Sequence, residues 1–268
     1  MAAVAAPRPA ARRSWPVVLE QELRDLWFGG RGLALCFAFS LLLSVVAYLV
    51  ATNQALNFLE HRETVNLTLQ VAIAVGALLT LLAAGDAVSG ERERGTLESL
   101  LLTPAGRLEL TLGKLLAALS LWVASFVILL PYVWFLGRGV GIVGEAVLTG
   151  AVVGTLLAVS LASFGMIISL FASSNRVSLS VSLFLLLALF VPTQLPSSAQ
   201  KGWAGDLLLR IDPITAGLHY VGKVVVDSRG WTEDVSWLIS PLVCAVVLSG
   251  ACLLLGAKFL RLRGGVTE

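Results

Sequence analysis

The chain has 268 residues, of which 57% are hydrophobic and 13% are charged, and its mean hydropathy is +0.88. A soluble domain carries about 25% charged residues, so this composition excludes an ordinary soluble protein and indicates a membrane protein. The net charge of +2 identifies no partner by itself.

Residues 15–30 predict an amphipathic helix at the membrane interface. Apolar side chains recur there at helical spacing, charged side chains fill the opposite face, and Trp is favoured at the interface. The apolar set is Trp15, Val18, Leu19, Leu23, Leu26 and Trp27, and the charged set is Glu20, Glu22, Arg24 and Asp25. A solvated helical lead-in is the alternative. Residues 1–14 are rich in Ala, Pro and Arg and are expected to be disordered, without the apolar core of a signal peptide.

Long apolar runs predict six membrane-spanning helices within one all-α domain at residues 31–268, because about 20 apolar residues cross a bilayer. The spans lie at about 33–51, 66–88, 112–136, 143–172, 177–195 and 237–259. The three cysteines, Cys36, Cys244 and Cys252, fall within these spans. We expect them to be small packing residues rather than disulfide partners or metal ligands.

Small residues repeat at every fourth position along two of the predicted spans. They are Ala72, Gly76, Thr80 and Ala84 in the second span, and Gly150, Gly154, Ala158 and Ala162 in the fourth. Such stripes let helix backbones approach closely, which favours packing between spans of this chain. A dimer seam and chance repetition in an Ala- and Gly-rich chain are the alternatives.

A charged segment separates the second and third spans. Residues 66–85 and 115–136 are almost free of charge, whereas the segment between them holds nine charged residues: Asp86, Glu91, Arg92, Glu93, Arg94, Glu98, Arg107, Glu109 and Lys114. Charges at this density do not lie in hydrocarbon, so the segment is expected to meet something outside the membrane. For Asp86, pairing with an arginine or contact with water is favoured over a role in binding cargo.

Within this segment, Gly95–Thr103 predicts a short amphipathic helix parallel to the membrane and capped at both ends. Thr96 is the expected N-cap, Glu98 suits the first turn, and Leu97, Leu100 and Leu101 form an apolar face. Pro104 and Gly106 end this helix, and a new one is expected near Arg107. A helix this short is unstable alone and must dock on something. Mixed acidic and basic residues favour a protein over a lipid surface.

Residues 193–236 are too long for a simple connection and predict two short helices lying on, or dipping into, the outer leaflet. One lies at about 200–210. The other begins at Asp212-Pro213, with Asp as N-cap and Pro at the first helical position, and carries an apolar stripe of Ile214, Leu218, Val221 and Val225. A structural lid and a cargo contact are both compatible with this segment.

The positions of Lys and Arg predict that both termini are cytoplasmic. With that orientation, thirteen of the 19 Lys and Arg residues lie on the cytoplasmic side and six lie outside. The charged segment then faces the cytoplasm, and residues 193–236 lie outside. We expect a multi-pass protein of the cell inner membrane.

The segment from Gly90 to Pro104, Gly-Glu-Arg-Glu-Arg-Gly-Thr-Leu-Glu-Ser-Leu-Leu-Leu-Thr-Pro, followed by Gly113-Lys114, resembles the cytoplasmic loop signature of ABC-2 type transporter permeases. The six-span layout and the long outer segment are also similar, so the resemblance covers nearly the whole chain. It implies an all-α transmembrane domain with a coupling loop at 89–110, an N-terminal interfacial helix and an outer segment at 193–236.

The resemblance also implies the partners of the chain. Two permease copies, identical or related, form the membrane pathway among membrane lipids, and two cytoplasmic ATPase subunits drive it. No nucleic-acid partner is expected. The short turn Ser173–Arg176 would be a second, smaller contact with the ATPase. The implied ATPase-coupling residues are Glu91, Arg92, Glu93, Arg94, Gly95, Thr96, Leu97, Glu98, Leu100, Leu101 and Arg176.

The sequence carries no phosphate-binding loop, because Gly113-Lys114-Leu115 and Gly222-Lys223-Val224 lack its spacing and hydroxyl residue. We therefore expect no cofactor in this chain, with ATP and Mg²⁺ bound by the partner ATPase. A catalytic role for Glu91 and Glu93 is disfavoured, because no His or Cys cluster accompanies them.

The resemblance implies a permease subunit of an ATP-driven exporter. The spans are poor in charge, which favours an amphipathic or apolar cargo, such as a drug, antibiotic or lipid-like molecule, over an ion. The alternative is an ATP-coupled subunit for mechanotransmission or envelope assembly that moves no small molecule.

Overall fold

A computed structural model of the protein describes residues 15–52, 61–103, 105–138, 141–194 and 203–260. Over those ranges the regular elements are all helices. They are α1 (Trp15–Phe28), α2 (Arg31–Thr52), α3 (His61–Asp86), α4 (Ser89–Arg94), α5 (Leu97–Leu101), α6 (Arg107–Gly137), α7 (Val143–Phe171), α8 (Asn175–Phe190), α9 (Trp203–Ile211), α10 (Pro213–Val225) and α11 (Ile239–Phe259). Short 3-10 helices lie at Val191–Gln194 and Val235–Leu238. The all-α prediction is confirmed.

Six segments of the described chain are long and apolar enough to cross a membrane. They are Arg31–Val50, Arg62–Arg94, Arg107–Gly137, Val143–Phe171, Asn175–Thr193 and Val235–Phe259. All six predicted spans are therefore confirmed as helices. The second begins earlier than predicted because polar residues such as Arg62 and Glu63 belong to the first turn of α3. The third also begins earlier, at Arg107.

Helices α3, α6 and α7 form the centre of the bundle around the indole of Trp122. The ring lies between Gly76 of α3 and Gly154 of α7: a Cβ atom at position 76 would stand 2.9 Å from the ring, and one at position 154 would overlap it. The indole Nε1 donates a hydrogen bond to Thr155 Oγ1 at 3.1 Å. The stripes of small residues thus pack inside this chain, as predicted, because they make room for a large side chain and for close backbones.

Helices α2, α8 and α11 surround this centre and carry much of the exposed apolar surface. Phe37, Phe184 and Leu254, one from each helix, are all more than two-thirds exposed (72%, 76% and 72%). Side chains of this kind suit contact with lipid tails. Of the cysteines, Cys36 and Cys252 are buried and Cys244 is half-buried.

The predicted helices before the last span are α9 and α10. Asp212 caps α10 by accepting a hydrogen bond from the Thr215 backbone N–H at 2.8 Å, and Pro213 is the first helical residue, as predicted. The apolar stripe of α10 is buried, apart from the half-buried Leu218. Gly217 lies against Val153 and Leu157 near the midpoint of α7, so α10 packs inside the bundle rather than on its surface.

The bundle has two ends, which we name by their short helices. The α4–α5 end carries α4, α5 and the turn between α7 and α8, and the α9–α10 end lies opposite. Predictions for residues 1–14 and 195–202, and for Pro104, lie outside the described residues. The side chain of Leu101 also lies outside them.

Helix α1 forms as predicted and packs along α6. Val18 is buried against Gly113, where a Cβ atom would come within 2.7 Å of it. Further along, Trp27 Nε1 donates to Ser120 Oγ at 3.1 Å. The two contacts follow the same order along both helices, so α1 runs parallel to α6 and packs on its first half. Its position at a membrane interface stays a prediction.

Candidate functional site

The charged segment between α3 and α6 folds as two short helices joined by a tight turn. Gly95 ends α4 with a φ of 72°, a conformation that costs glycine nothing and other residues more. Its N–H donates to the Arg92 carbonyl at 3.3 Å, and the Thr96 N–H donates to the Glu91 carbonyl at 3.0 Å. Sequence reasoning predicted the second helix, α5, but missed α4.

The prediction that Thr96 caps α5 through its side chain is wrong. Thr96 occupies the N-cap position, but its backbone is already helical and its side chain accepts no capping hydrogen bond. Its hydroxyl instead donates to the Glu91 carbonyl at 3.3 Å. The reason is that α4 runs directly into this position, so Thr96 completes the end of α4. The start of α6 at Arg107, after an extended Gly106, is as predicted.

Lys114 is a buried cation that joins three helices. Its Nζ donates to Glu22 Oε1 of α1 at 2.6 Å and also to Glu91 Oε1 of α4, while its side chain is only 1% exposed. A buried ion pair is costly to break because the remaining charge loses its partner. Sequence reasoning missed this cluster. The available signal was a lysine set among apolar residues of a span, which needs an acidic partner.

Two further charges of α4 bind the turn between α7 and α8. Arg92 donates to the carbonyl of Leu170 at 3.0 Å and to that of Ala172, at the C-terminus of α7. Glu93 Oε2 accepts from the backbone N–H of Asn175 at 3.0 Å, at the N-terminus of α8. Each charge therefore satisfies orphan backbone groups and opposes the dipole at its helix end.

The break between α3 and α4 is held by serine hydroxyls. Ser169 Oγ of α7 accepts the backbone N–H groups of Val88 and Ser89, at 3.1 and 2.8 Å. Hydroxyls of Ser89 and Ser178 each donate to the Gly85 carbonyl at 2.7 Å. These bonds replace the helical hydrogen bonds lost at the break. They therefore fix the position of α4 relative to α3.

Asp86 is buried and pairs with an arginine, which agrees with one part of the favoured prediction. Its Oδ2 lies 2.7 Å from Arg31 Nη2 and 4.0 Å from Arg94 Nη1. These residues line an open cavity of about 440 Å³ between α1, α2, α3, α4, α6 and α8.

The predicted site residues thus divide into two groups. Glu91, Arg92 and Glu93 bind neighbouring elements of this chain. Arg94, Gly95, Thr96, Glu98 and Arg176 are exposed, and Leu97 and Leu100 are half-buried. Leu97 packs against the hydrophobic cluster that includes Val88 and Leu170. Leu102, which sequence reasoning left out of the site, is 75% exposed directly after α5. Leu102 therefore offers apolar surface to a partner, whereas part of the Leu97 side chain is buried against the bundle.

Helix α4 is bound to its neighbours and forms a base, and α5 with Leu102 forms an exposed tip. Glu93 brings α4 to the turn before α8, so Arg94 and Arg176 line one shallow groove with Asn175, and the two predicted contact regions are continuous. Such a surface can bind a protein partner and pass displacement of the tip to α1, α3, α6 and α8.

Comparison with known proteins supports the resemblance noted in the sequence. A family model described as an ABC-2 family transporter protein matches residues 17–254. The match begins in α1 and ends in α11, so it includes the charged segment, α9 and α10. No curated protein matches the chain.

Proposed function

Because the chain belongs to the ABC-2 family of transporter proteins, we propose that it is the membrane permease subunit of an ATP-driven exporter. A separate cytoplasmic ATPase binds and hydrolyses ATP with Mg²⁺, and this chain converts that cycle into export of an amphipathic or apolar cargo. The chain itself performs no catalysis. It acts with a second permease, identical or related, in the cell inner membrane, with both termini in the cytoplasm.

One observation carries this proposal: α4 is bound to four other helices, while the adjoining α5 and Leu102 are open to a partner. Lys114 connects α4 to α1 and α6, and Arg92 and Glu93 connect it to α7 and α8. A loop that only joined two spans would not need charges buried on its own bundle. A segment that receives force at α5 and transmits it to the spans would need these buried charges to hold α4 to the bundle.

The proposed mechanism is rigid-body transmission. ATP binding closes the two ATPase subunits, which displaces α5 and with it α4. Because α4 is hydrogen-bonded to the spans, α3 and α6 tilt together and carry α1 with them. Leu100 and Leu102 supply apolar docking area, and Arg94, Glu98 and Arg176 set its orientation. The permease pair then alternates between inward and outward access.

The experiment that tests this proposal is ATP hydrolysis by the chain co-purified with an ATPase subunit and reconstituted in lipid. Leu102→Asp places a charge on an apolar side chain that is 75% exposed, and Leu100→Asp places one on a half-buried side chain of α5. Leu102→Met is the matched control, because it keeps the apolar area. We expect both Asp variants to lose transport-coupled hydrolysis, and Leu102→Met to retain it.

Two results would contradict the proposal. The first is failure of every ATPase subunit to co-purify with the chain. The second is normal coupling in both Asp variants, which would remove α5 from the pathway. Coupled hydrolysis without any transported cargo would leave the transmission through α4 in place and favour the mechanical or envelope-assembly alternative.

A further inference from the structure

The open cavity of about 440 Å³ at the α4–α5 end has one apolar wall and one charged wall. Its volume is within the range of about 300–1,000 Å³ seen for small-molecule sites. Half-buried side chains of three spans form the apolar wall: Leu35 of α2, Leu82 and Ala83 of α3, and Leu179 of α8. Because this wall offers no polar group, it suits the body of an organic molecule rather than an inorganic ion.

The charged wall carries more negative than positive charge. It holds four carboxylates, those of Glu22, Asp25, Asp86 and Glu91, and three cations, those of Arg31, Arg94 and Lys114. The side chains of three of the acids are less than one-fifth exposed, and Lys114 is the one cation of the lining that is equally covered. Both arginine side chains are more than half exposed, so water screens their charges. The covered part of the wall therefore has an excess of negative charge, which favours a cation.

Two carboxylate oxygens on this wall have no hydrogen-bond donor among the described residues. Asp86 Oδ2 pairs with Arg31, and Glu91 Oε1 pairs with Lys114, but Asp86 Oδ1 and Glu91 Oε2 are buried and accept no hydrogen bond. A buried charged acceptor without a donor is costly. The terminal torsions of Asp and Glu are broad, so rotation about them turns a second oxygen towards the cavity. A ligand with N–H donors would satisfy these acceptors.

Both carboxylates lie at the start of α4. Asp86 Oδ1 is in contact with Gly90, where a Cβ atom would overlap it, and Glu91 is the next residue. A primary ammonium has three N–H donors and can bind two carboxylates at once, as Lys114 does with Glu22 and Glu91. A primary ammonium on a ligand therefore matches this wall in both charge and hydrogen bonding.

We propose that this cavity binds an organic ammonium ion with an apolar body. The ammonium donates to Asp86 and Glu91, and the apolar body lies against Leu35, Leu82 and Leu179. The assignment of such an ion as the exported cargo rests on the proposed function, but its binding does not depend on an ATPase. The test therefore uses the full-length chain alone, so that its result is independent of the coupling experiment.

The test is a fluorescence titration of the purified full-length chain in maltoside micelles with dansylcadaverine, which joins a primary ammonium to an apolar fluorophore. Energy transfer from tryptophan to the dansyl group reports binding, because Trp27 directly follows Leu26 of the cavity lining. Dansyl pentylamide, which lacks the amine, is the matched probe and measures apolar partition alone.

Three variants test the two walls of the cavity. Asp86→Asn removes one negative charge, Ala83→Phe fills the apolar wall, and Arg94→Gln removes a positive charge beside Asp86. Glu20→Gln is the matched control, since Glu20 is an exposed acid on α1 outside the cavity lining. A thermal unfolding scan verifies that each variant is folded.

We expect Asp86→Asn and Ala83→Phe each to weaken dansylcadaverine binding by about tenfold, through loss of a charge-assisted hydrogen bond or of space. Arg94→Gln should strengthen binding by up to about fivefold, because an exposed charge that opposes the ligand is removed. Glu20→Gln should bind as the unchanged chain does. Dansyl pentylamide should bind the unchanged chain about tenfold more weakly than dansylcadaverine.

Three outcomes would overturn the proposal. Equal binding of dansylcadaverine by Asp86→Asn and Glu20→Gln would place the probe elsewhere. Weaker binding by Arg94→Gln would show that this arginine supports the ligand instead of opposing it. Equal binding of the two probes would show apolar partition without a role for the ammonium, and would leave the free carboxylate oxygens to water.

Discussion

The carboxylate of Glu93 accepts a hydrogen bond from the backbone N–H of Asn175 at 3.0 Å, and so joins the segment after the second span to the start of the fifth. The two residues are far apart in sequence, and they lie on α4 and at the start of α8, at the same end of the bundle. In the proposed mechanism, a partner that displaces α4 also displaces the first turn of α8 through this bond.

Glu93→Ala should loosen the start of α8 without unfolding the bundle. Loss of a capping acceptor costs about 0.5–2 kcal/mol, and the effect is confined to the first helical turn. Hydrogen–deuterium exchange should therefore rise at Asn175, whereas the Val177 N–H keeps its bond to Ser174 Oγ. The control is Glu98→Ala, because Glu98 is also acidic and exposed but lies on α5. Unchanged exchange at α8 in the Glu93 variant would show that the bond does not persist in solution.

Lys114→Met should strongly destabilise the chain. It leaves Glu22 and Glu91 facing each other without a cation, and breaking a buried ion pair costs about 3–5 kcal/mol. The measurement is the thermal unfolding midpoint in detergent, with Lys258→Met, at an exposed lysine of α11, as control.

A neutral triple variant distinguishes lost charge balance from lost packing at Lys114. In Glu22→Gln combined with Glu91→Gln and Lys114→Met, no charge remains to be compensated, so most of the stability should return. If the triple variant is as unstable as Lys114→Met, the lysine acts through packing instead.

Gly154→Ala should destabilise the centre of the bundle, because its new methyl group would overlap the Trp122 ring. Overpacking of this kind costs about 1–3 kcal/mol. Gly144→Ala is a matched control on the same helix: nothing lies within 4 Å of its Cβ position, and alanine favours a helix by up to about 1 kcal/mol. Thermal unfolding of the two variants should move in opposite directions. Equal shifts would mean that Trp122 does not fill this space.

Much of the fold was predictable because the relevant signals are local. Apolar runs predicted the six spans, the repeat that includes Gly154 predicted close packing within this chain, and Asp212-Pro213 predicted the start of α10. Each of these follows from hydrophobicity, size or capping chemistry within a few residues. None requires knowledge of which helices become neighbours.

The site was less predictable because its charged side chains bind residues that are distant in the sequence. Nothing near Glu91 in the sequence indicates that Lys114 and, through it, Glu22 will be its partners. Arg92 and Glu93 looked like surface charges, since the carbonyl and N–H groups they bind belong to the ends of α7 and α8. Leu102 was left out because several leucines lie close together in and after α5. The sequence alone does not indicate which of them face the bundle and which are exposed.

The central claim, that α5 and Leu102 form the contact with an ATPase, is tested most directly by photo-cross-linking in native membranes. A benzophenone amino acid is placed at Leu102 or, as control, at Leu207, an exposed leucine of α9 at the opposite end. Adducts are identified by mass spectrometry. We predict that Leu102 is cross-linked to an ATP-binding subunit carrying a phosphate-binding loop, with a yield that changes on addition of ATP, and that Leu207 is not. An ATP-binding subunit captured from Leu207 and not from Leu102 would contradict the account.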